Sequence, residues 1–78
     1  MYILFNSWSG TCLNVGSDID KAFDCFLAGA IIAGATLTET VEDYRNGFRS
    51  TQNCSYDNVY LFNSNMYAIV DGELVAIN

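Results

Sequence analysis

Cys12, Cys25, Cys54, nine Asp and Glu and three Lys and Arg are the side chains of this 78-residue chain that could do acid–base, nucleophilic or metal chemistry, and no His stands among them. A nucleophilic Cys, Ser or Thr needs a base beside it, and the usual neutral-pH base is absent. Lys21 lies between acids and is a poor substitute. Carboxylates could share acid–base work as Asp20 with Asp24 or Glu39 with Asp43, but a working pair needs environments that split its pKa values. At i,i+4 spacing on solvated helical faces these pairs lack that asymmetry.

Metal and phosphate chemistry are equally thin. Asp18-x-Asp20-x-x-x-Asp24 offers hard oxygen ligands without the glycine and the closing bidentate Glu of a calcium loop. Three cysteines without C-x-x-C spacing give neither a zinc site nor a disulfide framework. They read as reduced thiols filling the core as small apolar residues. Gly29-Ala-Ile-Ile-Ala-Gly34 has no following Lys-Ser/Thr, so small residues allowing close helix packing explain it better than a phosphate loop. The same run could also serve self-association of the small-x-x-x-small kind. The expectation is a non-enzymatic protein with no catalytic, cofactor or metal site.

Charge and aromatics remain. The net charge is −6, and Lys21, Arg45 and Arg49 are the only cations. That balance opposes direct binding to nucleic acid or an anionic membrane. The uncharged stretch within the helical pattern, residues 25–38, is fourteen long, short of the roughly 20 a spanning helix needs. The N-terminus has no basic n-region and reads as a strand rather than a signal peptide, which points to the cytoplasm.

Acids gather as Asp18, Asp20 and Asp24 and again as Glu39, Glu42 and Asp43. Trp8 sits in a polar turn, and Tyr56 and Tyr60 flank an acidic, Asn-rich loop. Acidic faces steer encounters with basic surfaces, and Trp and Tyr are enriched among binding hot spots. These nine residues are the candidate partner-binding set. The expected partner is a protein with a basic surface, such as a nucleic-acid-handling complex, which the domain would inhibit or modulate. Small viral antagonists of host defence, the anti-restriction and anti-CRISPR proteins, share this general character, although no motif here matches one of their families. The alternative is a self-associating structural subunit using its apolar helix and sheet face. The chain would then be a homodimer rather than a monomer.

The elements that must position these residues are legible from periodicity. Residues 2–5 read as a strand, 7–10 as a hairpin connection and 11–15 as the returning strand. Ile19, Ala22, Phe23, Phe26, Leu27, Ala30 and Ile31 recur with helical spacing, predicting a long helix over 19–37 capped by Ser17 or Asp18. Residues 39–46 suit a short acidic helix stopped by Gly47, with Val41, Tyr44 and Phe48 inward. A type I′ turn at Asn46-Gly47 is the competing reading. Residues 50–58 read as a loop. Strands at 59–62, 66–70 and 73–77 complete a meander whose last turn is Asp71-Gly72, apolar on both faces and therefore covered on each side. The expected fold is α+β, one compact domain over 1–78. An antiparallel sheet of four to five strands, the N-terminal strand or hairpin plus the C-terminal meander, packs on one long helix, with a second short acidic helix beside it.

Overall fold

The computed structural model describes residues 1–30 and 38–77, and it is a small α+β fold with antiparallel sheets and two helices. In chain order the elements are β1 (Tyr2–Asn6), β2 (Thr11–Asn14), α1 (Ile19–Ala30), α2 (Thr38–Thr51), β3 (Asn53–Tyr56), β4 (Val59–Asn63), β5 (Tyr67–Val70) and β6 (Glu73–Ala76). The first sheet has the order β2-β1-β4-β3, and β5 and β6 form a separate two-stranded sheet.

The apolar stripe of α1 folds as its spacing demands. Asp18 caps it, its Oδ1 accepting the backbone N–H groups of Asp20 at 3.0 Å and Lys21 at 3.1 Å, which satisfies two of the orphan donors at a helix start. Ala22, Phe23 and Phe26 are fully buried against Phe48 of α2 and Leu61 of β4. Removing each of these Phe rings from water stabilises the fold by about 1.5–3 kcal/mol. α1 ends at Ala30 among the described residues. The predicted extension over 31–37, with Gly34, lies outside them.

α2 corrects the expectation of a short helix over 39–46. It is 14 residues long and runs straight through Gly47, so neither the stop at Gly47 nor the type I′ turn forms. The reason is Phe48, whose ring is fully buried 5.4 Å from Tyr2 and 6.1 Å from Phe23. Continuing the helix seats that ring in the core, and the gain exceeds the roughly 1 kcal/mol helix penalty of glycine. The stop comes instead at Gln52, in the left-handed region at φ 63. Its backbone N–H donates to the Phe48 carbonyl at 2.7 Å, a cap usually made by glycine. The Gln52 side chain ties this corner down: its Oε1 accepts from Tyr2 Oη at 2.9 Å and Asn63 Nδ2 at 3.1 Å.

Two further corrections concern the strands. The polar stretch expected as a loop contains β3, paired with β4 through a two-residue turn that Asp57 enters at φ 55. Its polar sequence suits an edge strand with one side turned outward. The meander is also not one sheet. β4 lies between β1 and β3, whereas β5 and β6 pair only with each other. Their register, Tyr67 with Ala76, Ala68 with Val75 and Ile69 with Leu74, agrees with expectation, as does the Asp71-Gly72 turn with φ 52 and 80. Both central residues at positive φ make it type I′.

Tyr2, Leu4, Val59, Leu61 and Cys54 share the sheet face that packs on the helices. Phe5 and Phe62 point the other way yet remain 5% and 3% exposed. Tyr67 anchors β5 on that far side, its hydroxyl donating to the Thr51 carbonyl at 2.9 Å and accepting from Asn53 Nδ2 at 2.8 Å. The outer face of the hairpin is not covered, contrary to expectation: Val70, Val75 and Ile77 are 50%, 40% and 54% exposed. Of the thiols expected in the core, only Cys54 packs against it. Cys12 is exposed on edge strand β2 and Cys25 on α1, while Cys54 is half-buried.

Candidate partner-binding surface

Seven of the nine candidate residues fall in three places. The first is the ridge where α1 meets α2, which holds Asp18, Asp20, Asp24 and Glu42. Arg45 reaches across from α2 with nitrogens 3.6 Å from Asp20, 3.4 Å from Asp24 and 3.9 Å from Glu42. Its guanidinium also lies 4.7 Å from the centre of the Phe23 ring, a cation–π contact that fixes the fork over the core's edge. Arg49 donates to Asp20 Oδ1 at 2.8 Å. That hydrogen bond, helped by the charges of Arg49 and Arg45, holds the Asp20 carboxyl below its ordinary value of 3.8. The ridge therefore spends Asp20 and Asp24 on clamping two helices together and Glu42 on a pair within α2, while Asp18 spends its oxygen on the cap. Sequence reading grouped these acids by their spacing within each helix and had no signal for cross-helix pairing. The i,i+3 spacing of Glu42 and Arg45 marks only a pair within α2.

Asp43 stands apart from this network, exposed and without an ion pair among the described residues. The Glu39 side chain lies outside the described residues. Net charge divides evenly: residues 18–49 carry six acids and three bases, while Asp57, Asp71 and Glu73 carry the rest with no Lys or Arg from 50 to 78. Among the described residues the acids without an ion pair are thus Asp18, which caps α1, Asp43, Asp57 and Asp71 on strand turns, and Glu73 at the start of β6.

The second and third places converge. Trp8 is 84% exposed at the tip of the β1–β2 hairpin. The turn is braced from within: Asn6 Oδ1 accepts the backbone N–H of Trp8 at 2.9 Å and of Ser9 at 3.2 Å, and Gly10 N–H reaches the Asn6 carbonyl at 2.7 Å. Gly10 adopts φ 76, which its lack of Cβ allows at little cost. A further bond from Ser7 N–H to the Asn58 carbonyl, 2.9 Å, joins this tip to the β3–β4 turn. Tyr56, Asp57 and Tyr60 therefore stand at the same end of the sheet as Trp8. Tyr56 and Tyr60 point to opposite faces, the first toward Tyr44 at 6.2 Å and the second toward Phe5 at 6.0 Å.

Two grooves flank the sheet. One, of about 250 Å³, adjoins the Trp8 turn and is lined by Leu4, Asn6, Ser9, Leu13, Gly29 and Val59. The other, about 280 Å³, lies between α2 and β3 and is lined by Asp43, Tyr44, Gly47, Phe48, Cys54 and Ser55. Sequence reading missed both, since a groove is made by residues distant in the chain. Burial behind the second groove pushes the Cys54 thiol up to about 12, so it stays protonated and unreactive. Among the described residues no three Cys, Asp or Glu side chains converge as metal ligands, and no helix is long and apolar enough to cross a membrane. No family model, no curated protein and no solved structure matches the chain.

Proposed function

We propose that this domain is a non-enzymatic, cytoplasmic protein-binding module that inhibits or modulates a larger partner with a basic surface, in the manner of small viral antagonists of host defence. The observation that carries this reading is the 84% exposure of Trp8 in a turn held by three hydrogen bonds. Leaving an indole in water forfeits burial worth a few kcal/mol, and bracing the turn prepays the ordering cost of a contact. Rigid, presented Trp side chains are typical binding anchors. The acidic balance, strongest where Asp57, Asp71 and Glu73 stand without a cation, supplies the steering toward a basic partner.

The test is affinity capture from the native cell or its host with the wild-type domain, followed by mass spectrometry and competition with nucleic acid. A retained protein that binds either nucleic acid or the domain, but not both, supports the reading. Retention of nothing, or of a partner indifferent to nucleic acid, removes it. Charge reversal belongs at Asp43 and Glu73, because Lys at Asp20, Asp24 or Glu42 would face Arg45, and Lys at Asp57 or Asp71, both at positive φ, would strain a turn.

A second reading, self-association, draws on the outer face of the β5–β6 hairpin, where Val70, Val75 and Ile77 stand exposed together. Light scattering at micromolar concentration separates the two. A salt-stable dimer favours assembly and a monomer leaves the binder.

A further inference from the structure

We infer that the groove between β3 and α2 receives an extended segment of a partner protein, which adds as a strand to the β3 edge and sets an apolar side chain, followed by a Lys or Arg, into the groove.

Among the described residues β3 ends its sheet, pairing with β4 on one side only. The phase of its ladder says which groups face outward. Tyr56 and Val59 close a two-residue turn, and Asn63 N–H donates to the Gln52 carbonyl at 3.0 Å. Positions 52, 54 and 56 therefore bond inward to β4, and the alternation of an antiparallel ladder turns the Ser55 N–H and C=O away from it. Such a donor–acceptor pair is what strand addition uses for affinity. Edges are usually guarded by Lys, Pro or a covering element; β3 has neither residue, and although the Thr51 hydroxyl donates to the outward Asn53 carbonyl at 2.9 Å, the Ser55 pair is left for a new strand.

Gly47 is the second observation. It sits inside α2 between Asp43 and Thr51 on the stripe that overhangs the groove. Its φ is not positive, and a Cβ built there meets nothing within 4 Å. Neither backbone conformation nor close packing asks for glycine, and glycine weakens the helix. What its missing side chain provides is open space above the apolar wall of Tyr44, Phe48 and Cys54.

Charge sets the ligand class. Asp43 and Asp57 are exposed without ion pairs among the described residues, and no cation lines the groove. Asp43 is the acid that lines the groove, beside Tyr44, so the basic residue of the ligand enters there.

This rests on the protein-binding role proposed above but uses a surface distinct from Trp8, so Trp8→Ala and Gly47→Leu report separately. The probes are three capped pentapeptides: Arg-Thr-Leu-Thr-Arg, its Glu-Thr-Leu-Thr-Glu counterpart, and the first with its central amides N-methylated. Amide proton–nitrogen correlation spectra follow each titration. The basic peptide is expected to shift the Ser55 and Gly47 amides, and the acidic and methylated peptides to bind about tenfold or more weakly. Gly47→Leu should weaken the basic peptide to a similar degree, and Gly47→Ala should largely retain it. If Gly47→Leu does not fold, the methylated peptide decides. No shift at millimolar peptide, equal binding of all three, or undiminished binding to folded Gly47→Leu would overturn the inference. So would concentration-dependent shifts of Ser55 without peptide, which would make a second copy the occupant.

Discussion

Replacing Gly47 by alanine should make the protein more stable. The position is the tenth of 14 in α2, well away from either end, where alanine exceeds glycine by about 0.8–1.0 kcal/mol. Nothing in the fold subtracts from that gain, since the new Cβ has open space within 4 Å. Much of that difference is the conformational freedom the unfolded chain loses when a Cβ is added. For a domain of this size about 1 kcal/mol moves the thermal midpoint by roughly 4–8 °C, so a rise at the lower end of that range is expected. Circular dichroism melts of Gly47→Ala measure it, with Gly72→Ala as the opposing control. Gly72 sits at φ 80 in the type I′ turn, where alanine is strained and the midpoint should fall. A midpoint for Gly47→Ala at or below wild type would refute the reasoning. The helix would then need glycine for its own sake, and open space above the groove would no longer explain the residue.

Other outcomes follow from the core, the ion-pair ridge and the thiols. Phe23→Ala removes a fully buried ring, costing about 3–5 kcal/mol. That approaches the whole stability of a small domain, so its amide spectrum should show a largely unfolded chain. Arg45→Met leaves Asp20, Asp24 and Glu42 facing one another and should lower the midpoint, with the gap narrowing as salt screens the acids. Because the Asp20 carboxyl is held below 3.8 in the fold, its contribution is fully present above the unfolded value and fades as pH falls through the folded one. Urea unfolding at about pH 6 and about pH 3 should therefore show a smaller loss on acidification for Arg49→Gln than for wild type. Cys12 and Cys25 should react readily with a thiol reagent, while Cys54, pushed up to about 12 by burial, should react only on unfolding.

Local patterns were legible where a single element decided them. The α1 stripe, its Asp18 cap and the Asp71-Gly72 turn with its register all follow from spacing and turn chemistry within a few residues. What failed was set across the chain. Gly47 looked like a stop because its propensity is poor, but the burial of Phe48 against Tyr2 and Phe23 carries the helix past it. β3 looked like a loop because an edge strand with a polar outward side has no apolar alternation to read. The acids of α1 and α2 looked free because Arg45 and Arg49 stand more than twenty residues from Asp20 and Asp24 in sequence. The aromatic candidates fared differently. Trp8, Tyr56 and Tyr60 were picked for residue type and for lying in or beside polar turns, and one backbone bond from Ser7 to Asn58 brings those turns to the same end of the sheet.

The affinity of the captured partner for wild type and for Trp8→Ala, by titration at fixed ionic strength, tests the protein-binding reading most directly. Trp8 makes no contribution to the buried core, so the variant should fold as wild type does and match its melting curve. A rise in Kd of roughly thirtyfold, the size of a hot-spot loss of about 2 kcal/mol, is the expected result. An unchanged Kd with a properly folded variant would contradict it, and the exposed indole would then be an ordinary surface side chain.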